Sequence, residues 1–199
     1  MCVVKPEENL SLSEYLYSLR FYILFVSILF IGSIIFGYVG FFGGTFSRPM
    51  GRFQQLSEVV EDFTQLYPLW IIFLVAFVLI ILNNVLTCFL NIVLGPLLAI
   101  APVASMVFNG GLIGCLAQKR GLIIFIGIIP HGIFEIPALL LSGAIGLRIG
   151  REVLKNRAER NLKSVLNKGL RVFLVLILPL LLIAAVIESS SIVATLFLL

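Results

Sequence analysis

Two ionisable side chains stand where a membrane-crossing sequence would ordinarily carry leucine. In Gly121–Gly150, GLIIFIGIIPHGIFEIPALLLSGAIGLRIG, the chain's only histidine, His131, precedes Glu135 by four residues. On a helical backbone that spacing is about one turn and puts both groups on one side. Pro130 and Pro137 bracket the pair, with Gly132 between them. The ring of Pro130 would clash with the carbonyl of Ile126, and its missing N–H would leave that carbonyl unpaired. Pro137 disfavours helical geometry at Ile136. The expectation is a helix broken at Pro130, Gly132 and Pro137, with freed backbone groups beside an imidazole and a carboxylate. At bilayer depth an ionisable pair costs several kcal/mol unless it faces partners or water. The chemistry that suits this arrangement is proton transfer, or the binding of an ion or polar substrate by a discontinuous helix.

Intramembrane hydrolysis fits less well. Glu135 could serve as general base with His131 as its partner. However, HxxxE is not the HExxH of zinc proteases, and no GxSxG-type nucleophile motif is present. One histidine cannot build a multi-histidine metal centre in a single chain. Cys2, Cys88 and Cys115 are scattered, with no CxxC, and read as small apolar fillers. No catalytic residue, metal or cofactor is therefore expected. Other polar residues in apolar surroundings could join His131 and Glu135 in one intramembrane polar site: Asn83, Asn84, Asn109 and Glu188. Alternatively they only tie helices together, each bond worth roughly 0.6–2 kcal/mol, and Glu188 simply reaches water near a membrane boundary. Ala138, Ser142, Gly146 and Gly150 form an i, i+4 row of small residues, a surface on which another helix can approach closely.

Holding such residues at depth requires helices that cross a bilayer. The chain is 60% hydrophobic and 12% charged, with a mean hydropathy of +1.15, which excludes an ordinary soluble domain. Apolar stretches of roughly 20 residues, each able to span ~30 Å of hydrocarbon, predict an all-α polytopic transmembrane helix bundle of about five segments. All 199 residues form a single membrane domain on this reading. The spans are expected at about Arg20–Phe42, Pro68–Leu90, from Gly95-Pro96 to Ala117, across the broken fourth segment, and from Leu170 onward.

The connecting segments are amphipathic. Residues 1–19 form a head in which Ser11-Leu12-Ser13-Glu14 has capping-box spacing and leads into a short interfacial helix. Residues 43–67 place Phe46, Met50, Phe53, Val60, Phe63 and Tyr67 at helical steps among charges and glutamines, which predicts an extracytoplasmic amphipathic helix. Residues 148–169 predict a basic cytoplasmic helix. Eight of the 14 basic residues fall between Arg148 and Arg171. The positive-inside bias places that cluster and the amino terminus in the cytoplasm of a multi-pass protein of the cell membrane. The cluster should attract anionic lipid headgroups; nucleic acid is not an expected partner, because no nucleic-acid motif accompanies the charge. A rival topology folds the fourth segment back as a re-entrant hairpin, which would put Lys119-Arg120 on the side of the basic cluster.

The stretch Pro130-His131-Gly132-Ile133-Phe134-Glu135-Ile136-Pro137-Ala138, continuing through Gly143-Ala144-Ile145-Gly146-Leu147-Arg148-Ile149-Gly150, closely resembles the hallmark of the stage II sporulation protein M family. Asn83-Asn84, Gly95-Pro96, Asn109-Gly110 and Ala184-Ala185 followed by Glu188 agree with it. The resemblance implies a multipass membrane protein. It also implies membrane or envelope protein partners and a possible homo-oligomer, since the bacterial namesake works with partner proteins in peptidoglycan remodelling at the sporulation septum. The function expected is a non-enzymatic scaffold or channel-like component of an envelope- or lipid-remodelling complex. The alternative is a secondary transporter or lipid permease using the His/Glu site, with an intramembrane hydrolase behind both.

Overall fold

The computed structural model describes residues 12–42, 44, 66–97, 99–156 and 160–197. Its elements are helices: α1 (Leu12–Ser18), α2 (Arg20–Tyr38), α3 (Leu69–Val93), α4 (Ile100–Arg120), α5 (Ile124–Val153), α6 (Leu162–Val172) and α7 (Leu178–Phe197), with a π-helical turn, Phe173–Ile177, joining the last two into one rod. Five helical stretches are long and apolar enough to cross a membrane: α2, α3, α4, α5 and the α6–α7 rod. This is the all-α polytopic bundle that the hydropathy pattern predicts. Phe25, Ile28, Leu79, Leu82, Ile126 and Leu174 are each more than half exposed on its outer faces. Such a surface suits hydrocarbon, where the helices already satisfy their own backbone groups.

Helix α5 is the centre of the bundle and touches α2, α3, α4, α6 and α7. Its Ala138, Ala144, Ile145 and Ile149 are fully buried among Val26, Ile92, Met106, Ile177 and Leu181. Small residues bring the backbones together. A Cβ at Gly146 would strike the Asn91 carbonyl of α3, and one at Gly114 of α4 would strike the Ile34 carbonyl of α2. In a bilayer, where no hydrophobic force drives helices together, this close van der Waals contact is a main source of cohesion.

Several expectations need correction. The fourth span is not broken: α5 runs through Pro130 and Pro137 for 30 residues, about 45 Å at 1.5 Å per residue. Both prolines are exposed, and membrane helices absorb the lost backbone bonds by local adjustment. Gly132 is not a break either. It backs an apolar groove of about 290 Å³ lined by Ile34, Ile113, Phe125, Ile129 and Pro137. The unbroken helix also rules out the re-entrant hairpin, because Lys119-Arg120 and the basic cluster lie at opposite ends of α5.

The basic region 148–169 is not one helix. Arg148 and Arg151 end α5, while Lys163, Lys168 and Arg171 belong to α6. The chain turns between them because Glu152 accepts a hydrogen bond from the Asn161 N–H (2.9 Å) and Asn161 in turn caps α6, accepting from the Ser164 N–H. The last span consequently begins at Leu162 rather than Leu170. The head helix is held by protein: Tyr15 and Leu19 of the α1–α2 junction are 2% and 0% exposed and belong to the core. The expected amphipathic helix at 43–67 lies, apart from Gly44, Leu66 and Tyr67, outside the described residues.

Candidate functional site

His131 and Glu135 lie seven and eleven residues into α5, about 10 and 16 Å along its axis, within the stretch of α5 that is long and apolar enough to cross a membrane. They project from one side, with His131 Nε2 4.0 Å from Glu135 Oε2 and side-chain exposures of 15% and 29%. Helix α7 brings Glu188 to the same place. One ligating atom each from His131, Glu135 and Glu188 lies within 4.8 Å of the others. Helix α3 closes the third side. Asn84, which is buried, lies beside Glu135, and Asn83 Nδ2 donates to Asn84 Oδ1 at 3.3 Å. His131 Nδ1 is buried without a hydrogen-bond partner.

Four of the six polar residues singled out in the sequence therefore meet: His131, Glu135, Glu188 and Asn84. Asn83 reaches them only through Asn84 and is itself exposed. Asn109 does not join. It donates to the Ser105 carbonyl of its own helix, α4, at 2.8 Å. Glu188 is half-buried in the cluster, one helix face away from its buried neighbour Ser189.

The small-residue row lies on the inner side of α5. Ala138 and Ser142 are fully buried, and Gly146 and Gly150 face the α3 end and the turn after it, near Asn91, Gly95 and Ala99. Ser142 Oγ donates to the Leu139 carbonyl (2.8 Å) and accepts from Asn91 Nδ2 (3.0 Å). The sequence reading passed over Asn91 as a partner, although Asn84, Cys88 and Asn91 recur at steps of four and three and so share one face of α3.

A second polar region was not foreseen at the basic end of the bundle. Arg148, buried, donates to Ser18 Oγ and stacks over the Tyr15 ring at 4.7 Å. Arg151 donates to the Tyr22 hydroxyl at 3.0 Å, and Glu152 pairs with Lys155 at 2.7 Å. These contacts join α5 to the α1–α2 segment, about 130 residues away in the sequence. Nothing in local spacing could reveal them.

Residues 26–190 match the sequence profile of Stage II sporulation protein M. The chain belongs to that family. The matched region includes every residue of the polar cluster and places it in a multi-pass integral membrane protein. Stage II sporulation protein M is not a known enzyme family. An uncharacterised protein of Methanocaldococcus jannaschii is 31% identical over 118 residues, which cover 55% of this chain and 66% of that protein. The chain thus spans just under two thirds of the length of the curated relative it matches. No solved structure matches it.

Proposed function

We propose that this Stage II sporulation protein M relative is a non-enzymatic, channel-like membrane component that binds and passes a proton or small cation at the His131–Glu135–Glu188 cluster. One observation carries the reading: three ionisable side chains from two helices converge at membrane depth. A structural tie between α5 and α7 needs only one hydrogen-bonded pair. Bringing two carboxylates and an imidazole together in a low-dielectric region adds repulsion and desolvation, which a bound cation or a shared proton offsets. The amino terminus and the basic end face the cytoplasm on this reading, with anionic headgroups around Arg151, Lys163 and Arg171. Envelope proteins, or further copies of the chain, are the partners expected for such a component. The scaffold role is the outcome that remains if the cluster carries no ion.

Vesicles reconstituted with the purified protein test the proposal. The wild type should dissipate an imposed pH or cation gradient, read by an internal dye, at least tenfold faster than Glu135→Gln, with both proteins equally helical and monodisperse. Equal rates for the two, or no rate above empty vesicles, would remove the transport reading.

A further inference from the structure

We infer that the ion accepted by this cluster is a divalent transition metal, bound by His131, Glu135 and Glu188. The inference rests on the ion-binding reading above and narrows it to a chemical class.

The donor set is the first argument. One imidazole nitrogen and two carboxylate oxygens converge, each residue offering a single ligating atom within 4.8 Å of the others. Ligands about 2.0–2.1 Å from a tetrahedral zinc ion stand about 3.4 Å apart. The present spread closes by rotamer changes of about an ångström in side chains that are only half-buried. Alkali and alkaline-earth cations prefer oxygen alone, whereas an imidazole with carboxylates suits zinc, manganese, iron or cobalt.

Charge balance is the second. Two ionised carboxylates carry two negative charges, and a dication with a neutral imidazole brings the site to zero. A monovalent cation by itself leaves one charge in the bilayer, where each is costly.

The third argument is the state of the histidine. Nδ1 is buried and makes no hydrogen bond, and Nε2 stands 4.0 Å from the nearest Glu135 oxygen, beyond hydrogen-bond range. A histidine that merely tied helices would use a ring nitrogen for a hydrogen bond to a neighbour. Here the imidazole lone pair has no acceptor role within the protein among the described residues.

Tag-free protein in detergent should be exposed in turn to zinc, manganese and cobalt salts, desalted, and its retained metal measured by mass spectrometry. About one metal per chain is expected for at least one of the three. Retention should fall at least tenfold in His131→Ala and Glu188→Gln, and stay unchanged in Asn109→Ala, which alters an asparagine outside the cluster. Bound cobalt should give visible ligand-field absorption that the two cluster variants lack. Wild-type retention no greater than that of His131→Ala, with both proteins folded by circular dichroism, would overturn the inference. The two proposals fail separately. Flux lost in Glu135→Gln without any retained metal keeps the ion pathway and rejects the metal. Retained metal with unaltered flux keeps the metal site and rejects the pathway.

Discussion

The bundle holds two polar regions, and they are built on opposite principles. At the basic end several charges are satisfied at short range: Arg148 on Ser18 and Tyr15, Arg151 on Tyr22, and Glu152 between Lys155 and the Asn161 N–H. Arg148 and Glu152 are buried, while Arg151 is exposed. At membrane depth, where partners matter most, His131 Nδ1 has none and two carboxylates stand beside one another. The basic end has a loose end too, since Lys168 Nζ is buried without a hydrogen-bond partner; what sets the deep cluster apart is the convergence of two carboxylates and an imidazole. An unsatisfied buried group costs about 1–3 kcal/mol, more if charged, and like charges brought together add to that cost. On the proposed function, the deep cluster is the place where stability is given up for binding.

Substitutions can sharpen or break this contrast. The largest effect is expected from Glu135→Gln, which should reduce ion flux at least tenfold in vesicles while leaving the fold intact. Next comes Gly146→Leu, whose side chain would collide with the Asn91 carbonyl. A backbone collision cannot be relieved by a rotamer, so a loss of about 3 kcal/mol or more is expected, measured as lost monodispersity or a large fall in thermal midpoint. Arg148→Ala should cost about 1.5–3 kcal/mol, the range for a hydrogen bond to a charged group, by the same thermal assay. Asn91→Leu removes one interhelical bond to Ser142 and should cost about 0.6–2 kcal/mol. Smallest is Arg151→Gln: the guanidinium is exposed, and the change should stay within about 0.5 kcal/mol. Were Arg151→Gln to cost more than Arg148→Ala, the ordering by burial would be wrong.

Much of the architecture was legible because hydropathy and length decide which segments cross a bilayer. The spans begin and end within a few residues of those read from the sequence, except where polar residues blur the signal. Helix α6 is amphipathic and basic, so it looked like a separate surface helix, yet its backbone continues into the last span. The π-helical turn at Phe173–Ile177 was missed, although Pro179 was a cue: it cannot donate to the carbonyl of Val175, which lies within that wider turn. The proline rule failed at α5. Pro130 and Pro137 predict a break from local sterics, but α5 stays helical through both. At the cluster, HxxxE spacing placed His131 and Glu135 on one side. That Glu188 and Asn84 would meet them, and Asn109 would not, depended on helix rotations and pairings that no single segment encodes.

The most direct measurement pairs thermal unfolding with ion flux on one preparation of Glu188→Gln. This substitution keeps the size of the side chain and removes one of the two neighbouring carboxylates. The account predicts that flux falls at least tenfold while the thermal midpoint, taken without added metal, stays level or rises, because repulsion and desolvation have been relieved. A midpoint that drops by several degrees, with flux falling only in step with the folded fraction, would mean that the cluster is a structural tie and that the contrast between the two regions has been misread.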